Sequence, residues 1–194
     1  TQTFTVVLDS QPTGDVVFDI SASDAGEATV NTSTLTFTNT NWNTPQTVTV
    51  AGVDDSLDDG DQNSTVTVAV NAGSTADNNF DSLANSQITV TTTDNDTSAF
   101  TRTPATVTVS EAGTTGTFTV VLDSQPSGNV VFDVSASDTG EATVDKSTLT
   151  FTASDWDAPQ TVTVTGVDDN LDDGDQNSTV TVAVNAGSTA DNTY

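Results

Sequence analysis

The sequence contains no cysteine, no methionine and no histidine, and its only basic residues are Arg102 and Lys146. Without cysteine there is no disulfide, no thiolate metal site and no nucleophilic thiol. Without histidine the commonest general base and the commonest transition-metal ligand are both missing. Any metal must therefore be held by oxygen, which favours Ca²⁺, Mg²⁺ or Mn²⁺ over zinc or copper. A net charge of -26 excludes ordinary nucleic-acid binding, which uses basic groups to displace phosphate counterions. It also disfavours anionic membrane surfaces. No run approaches the roughly 18 apolar residues of a membrane helix, so no membrane insertion is expected in this segment. No signal peptide is read at its start.

What the chain does have is acid, threonine, valine and repetition. Residues 3–80 align without a gap on residues 117–194, and 63 of these 78 positions are identical. Such identity points to recent duplication within a larger array. Each copy carries one dense acidic stretch, Gly52-Val-Asp-Asp-Ser-Leu-Asp-Asp-Gly-Asp-Gln-Asn63 and Gly166-Val-Asp-Asp-Asn-Leu-Asp-Asp-Gly-Asp-Gln-Asn177. Each follows a Thr/Val alternation that reads as a strand, so the acids sit in a loop leaving a sheet. Mutual repulsion makes such a loop costly to order unless a cation fills it.

The period-2 alternation predicts seven strands per repeat: 105–109, 116–122, 129–135, 141–152 with a break near Lys146, 160–167, 178–184, and the equivalent of 86–93. Inward positions are Val107, Val109, Phe118, Val120, Leu122, Val130, Phe132, Val134, Leu149, Phe151, Val162, Val164, Val180, Val182, Val184, Ile88 and Val90. Threonine takes the outward positions, where β-branching suits the pleat. Short strands without helical periodicity imply all-β, tandem immunoglobulin-like antiparallel sandwiches of about seven strands each. The expected domains are 1–96, a repeat lacking its first strand, and 97–194, a repeat lacking its last. If every connection reverses the chain, alternate strands end at the same pole. All the acidic clusters then converge there, around Glu111, Asp138, Glu141, the 168–175 loop and the counterparts of Asp94 and Asp96. The Ser124-Gln-Pro-Ser-Gly128 turn and the Trp156 loop go to the other pole.

The stretches Val109-Ser-Glu-Ala-Gly113, Ser147-Thr-Leu-Thr-Phe151, Val162-Thr-Val-Thr-Gly-Val-Asp-Asp169 and Ile88-Thr-Val-Thr-Thr-Thr-Asp-Asn-Asp96 resemble, in this order, the Calx-β family of sandwich domains. The resemblance implies Ca²⁺ ligands at Glu111, Glu141, Asp168, Asp169 and Asp173, with Asp94 and Asp96 as closing acids. In the first repeat it implies Glu27, Asp54, Asp55 and Asp59. Gln62 and Gln176 stand where the family commonly has an acid, and Asn95 interrupts the closing run. The first site, whose walls are Glu27, the 54–59 loop and the linker acids, is the preferred one, since the second has no closing acids.

Other readings of these residues are weaker. An EF-hand fails because, with Gly174 sixth in the loop, Leu171 falls on a ligand position and Val180 on that of the bidentate Glu. A glycosidase needs two carboxylates across a cleft, whereas these crowd at a loop tip, so no enzyme is expected. A solvated acidic face on a halophilic secreted protein is the plain alternative. The Thr-x-Thr runs suit the polar face of a half-buried strand better than an ice-binding face. Trp42 and Trp156 suit plugs of the sandwich better than sugar platforms. Four Asn-x-Ser/Thr sequons carry little weight in so Thr-rich a chain. The expected function is a calcium-stabilised stalk or filament segment of a large extracellular or cell-surface protein, of the adhesin kind. Its partners would be neighbouring repeats and other copies in a filament. The alternative is a module that binds carbohydrate or a host protein.

Overall fold

The computed structural model describes residues 1–194 and is all-β, with fourteen strands in four antiparallel sheets. No helix is long and apolar enough to cross a membrane. The chain forms two compact units: Thr1–Asp55 with Asp59–Asp94, and Ser56–Asp58 with Asn95–Tyr194.

In the first unit, β1 (Gln2–Val6), β5 (Gln46–Gly52) and β3 (Ala28–Val30) make one sheet in the order β1-β5-β3. The other contains β2 (Val16–Ala22), β4 (Thr34–Phe37), β6 (Gln62–Val70) and β7 (Ser86–Thr92) in the order β4-β2-β6-β7. In the second unit, β8 (Phe100–Thr103), β9 (Thr115–Leu122), β13 (Gln160–Gly166) and β11 (Ala142–Val144) form the sheet β11-β13-β9-β8. The sheet β12-β10-β14 joins β12 (Thr148–Phe151), β10 (Val130–Ala136) and β14 (Val180–Val184).

Each unit buries the inward set expected from alternation. In the second, Phe118, Val120, Leu122, Val130, Phe132, Val134, Leu149, Phe151, Val162 and Val164 are buried. Val107, Val109, Val180, Val182 and Val184 are half-buried against them. Trp156 packs on the same cluster, as Trp42 does in the first unit. Both are sandwich plugs. The Thr152–Asp155 turn delivers Trp156: Thr152 N and Oγ1 donate to Asp155 Oδ1, and Leu122 N donates to the Trp156 carbonyl at 3.2 Å.

The break near Lys146 is real, and its cause lies one residue earlier. Asp145 N donates to Thr163 O at 3.0 Å, while Thr163 N donates to the Asp145 side chain at 2.6 Å. A side-chain oxygen thus takes the place of the next ladder carbonyl, and the chain leaves β13. Two residues on, Ser147 O accepts from Val134 N at 2.9 Å, and β12 joins the opposite sheet. Asn31 does the same in the first unit.

One expected strand is displaced. Residues 105–109 form no strand; the opening strand is β8, paired from Phe100↔Leu122 to Thr103↔Thr119. Every residue of β8 is exposed, so it has no alternating face to betray it. Pro104, which has no N–H to donate, ends it. Beyond, the chain runs so close to β9 and β13 that a Cβ at Gly166 would collide with Ser110 O. A Cβ at Gly116 would collide with Val107 Cγ1. This approach carries Glu111 to the exit of β13.

At the pole of the Pro turns, the buried Asp191 accepts from Ser127 N at 2.6 Å and Ser127 Oγ at 2.9 Å. Its other oxygen accepts from Thr193 N and Oγ1. Asp77 repeats this with Thr13 and Asn79. Burial alone would raise the Asp191 carboxyl, but the donors from Thr193 and Ser127 outweigh it and hold it far below the usual carboxylate range.

Two outcomes are expected in thermal melts. Gly166→Ala should cost about 1–3 kcal/mol, as overpacking does, because the obstructing atom is backbone. Gly52→Ala, the same position 114 residues earlier, meets only the Thr92 side chain at 3.2 Å and should cost clearly less. Asp191→Ala should destabilise by about 1–3 kcal/mol by stranding buried donors.

Candidate metal centre

The acidic loops meet as strand direction requires. Every strand pairing is antiparallel, so β8 and β13, which both oppose β9, point the same way. In the second unit one carboxylate oxygen from each of Glu141, Asp169 and Asp173 lies within 4.8 Å of the others. Glu141 is half-buried and Asp173 exposed. The three residues come from two loops, which the backbone ties together: Val167 N donates to Glu141 O at 2.9 Å, and Gly166 N donates to Thr114 O at 3.1 Å.

Local turns set each carboxylate. Asp138 caps its own turn, its Oδ1 accepting from Gly140 N at 2.9 Å, and Ala142 N donates back to Asp138 O at 3.1 Å. Asp169 Oδ1 accepts from Leu171 N at 2.8 Å. Gly174 takes a φ of 73°, which only glycine adopts without strain, and lets the loop double back at Asp173. Gln176 Nε2 donates to Asp173 O at 2.8 Å, as Gln62 does to Asp59 O at 2.9 Å. Each glutamine is thus a brace for its loop backbone.

Burial is the main influence raising the Glu141 carboxyl, and the charges of Asp173, Asp138, Asp169 and Glu111 add to it. In the first unit burial and the charges of Asp59, Asp55, Asp24 and Asp94 raise Glu27 likewise. The expected residues Glu27, Asp55, Asp59 and Asp94 are therefore neighbours, as are Glu111, Glu141, Asp169 and Asp173. Asp54 and Asp168 are exposed and are not among the charges that raise either glutamate. Asp96 belongs to the second unit. Asp94 is fixed where β7 ends: its Oδ2 accepts from Gly60 N at 2.7 Å, and its N–H donates to Asp61 Oδ1 at 3.1 Å. The family pattern passes over Asp24 and Asp138, although the repeated Ser-Asp-x-Gly-Glu turn places each three residues before its glutamate.

The donor set suits a hard cation. It is all oxygen, and oxygens within 4.8 Å of one another can reach one ion at Ca²⁺–oxygen distances of roughly 2.3–2.6 Å. No cation of the chain itself sits there. Arg102 donates to the carbonyls of Val180 and Ala105, and Lys146 to that of Thr161. No protein-family model and no curated protein matches this sequence.

A pH series in chelator should show the strain. Glu27 and Glu141 have raised carboxyls, so their contribution to stability is full below the ordinary 4.5 and is lost as pH rises through the higher folded value. Asp77, Asp155 and Asp191 are lowered from 3.8, so theirs is full above 3.8 and is lost as pH falls through the lower folded values. Melting temperature without metal should therefore peak near pH 4–5 and decline toward neutrality.

Proposed function

We propose that the chain is a calcium-stabilised run of tandem immunoglobulin-like, Calx-β-like sandwiches, serving as a stalk or filament segment of a larger extracellular or cell-surface protein. The observation that carries this reading is the gathering of Glu141, Asp169 and Asp173 within 4.8 Å, with Glu111 and Asp138 adding negative charge. Isolated surface acids gain nothing by crowding; these are drawn together by backbone bonds at a strand exit.

Bound Ca²⁺ supplies the neutralising charge that the sequence lacks. Glu141, Asp169 and Asp173 hold it, and Glu111 and Asp138 complete the oxygen shell or orient its waters. In the first repeat Glu27, Asp55, Asp59 and Asp94 have the same chemistry, with Asp24 at their edge. Binding orders the 168–175 loop against the 138–141 turn. That is a scaffold role, since no nucleophile or base is set apart from the rest. The packing of Trp42 and Trp156 into the cores favours it over a sugar-binding module. Extracellular modules bind Ca²⁺ at about 10⁻⁴–10⁻³ M, which matches a site that is partly exposed.

Calcium should raise the melting temperature and chelator should reverse the gain, by about 2.7 kcal/mol at a hundredfold excess over the dissociation constant. Glu141→Gln should separate repulsion from binding. In chelator it should melt at or above the parent temperature, since a like charge is gone. In calcium it should melt below the parent. A parent protein whose melting ignores both calcium and chelator would refute the calcium reading.

A further inference from the structure

The chain leaves the first unit along β7 and enters the second along β8. Each is the outermost strand of its sheet, β7 beside β6 and β8 beside β9, and both pairings are antiparallel. β7 runs toward the acidic pole, where Thr92 reaches Glu27 and Asp94 reaches Gly60. β8 starts at the Trp156 pole. There Asp123 N donates to Ala99 O at 2.9 Å, and Leu122, the partner of Phe100, donates to the Trp156 carbonyl. The two units are copies of one fold, so that fold is entered as β8 at one pole and left as β7 at the other. Tension in the chain therefore pulls both strands lengthwise, along the ladders that hold them.

Ladder hydrogen bonds lie across the strands. A lengthwise pull loads them all together, whereas a pull at the near end opens them one at a time. β7 is paired from Gln62↔Thr92 to Val68↔Ser86, and its pulled end is fastened beyond the ladder. Thr92 Oγ1 donates to Glu27 O at 2.8 Å, crossing to the turn that opens β3 in the other sheet. Thr91 Oγ1 donates to Asn63 Oδ1 at 2.7 Å. Asp94 Oδ2 accepts from Gly60 N at 2.7 Å, and Asp94 N donates to Asp61 Oδ1 at 3.1 Å. These side-chain bonds gather at the end that is pulled, while Ser86 and Gln87 at the other end are exposed. β8 is also tied across its sandwich, since Phe100 packs edge-on against Phe132 with ring centroids 4.9 Å apart.

We propose that β7 is a mechanical clamp: tension along the chain loads it in shear, and the bonds of Thr92 to Glu27 and of Asp94 to Gly60 lock its exit to the body of its unit. The fold thus resists pulling far better along this axis than across it. The clamp deepens the stalk reading and rests on it only for the source of the tension. It does not require the metal.

The absence of native cysteine lets single-molecule pulling handles be placed on chosen residues, and Thr40, Asn85 and Thr93 are all exposed. In T40C/T93C the handles sit on the turn before Trp42 and on the exit of β7, at opposite poles, so the pull runs along β7. In T40C/N85C both sit at the Trp42 pole, and the pull peels β7 from its Ser86 end. In chelator the lengthwise pair should rupture at a force at least about twofold above the peeling pair, because forced unfolding is set by the unfolding rate along the path taken. Thr92→Val removes one fastener and leaves the ladder intact. It should lower the lengthwise force and leave the peeling force unchanged, which a general loss of stability would not do. Equal forces in the two geometries, or equal losses in both from Thr92→Val, would overturn the clamp and leave the calcium reading untouched. The expected forces beside melting that ignores calcium would support the clamp and remove the calcium reading.

Discussion

Like charge gathered at strand exits is the constraint on which this architecture depends. The antiparallel ladders return alternate strands to one pole, and acidic loops lie at those returns. Backbone bonds from Val167 to Glu141 and from Gly166 to Thr114 then hold the loops together. With only Arg102 and Lys146 available, both engaged at backbone carbonyls, the chain cannot neutralise the pole itself. A hard divalent cation is the economical answer, since it replaces several repulsions with attractions at once.

The opposite pole shows how the same fold treats a carboxylate that needs no ion. Asp77 and Asp191 are buried, yet each is surrounded by backbone and hydroxyl donors that stabilise the charge. Hydrogen bonds lower these carboxyls, while burial and like charge raise Glu27 and Glu141. One pole is a finished latch that ties two loops together. The other is left electrostatically incomplete, with like charge and burial raising its glutamates.

Much of this was legible from residue order. Period-2 alternation located the core because each strand has one wet and one dry face. Strand parity gathered Glu141 and the 168–175 loop, because reversal at every turn is a topological count. The β8 strand escaped, since every residue of Phe100–Thr103 is exposed, and neither its pairing with β9 nor the stacking of Phe100 on Phe132 shows as alternation. Strand parity also brought in Asp138, while its equivalent Asp24 was obscured as a turn residue, a role both fill. Reading Gln62 and Gln176 as lost ligands missed their bonds to Asp59 and Asp173 carbonyls, which no spacing rule encodes. The preference for the first acidic site rested on the linker acids; the tight group of three carboxylates lies in the second repeat. The latch aspartates were not legible, because Asn79 and Thr193 two residues on show only a local turn, and the partners that make the latch, Thr13 and Ser127, lie 64 residues away.

The central claim is that the acidic pole is a cation site, and anomalous diffraction from crystals grown in calcium tests it most directly. The account predicts an anomalous peak coordinated by carboxylate oxygens of Glu141, Asp169 and Asp173, and absent from crystals of an E141Q/D173N variant. Well-ordered loops with no peak at those three residues would contradict it.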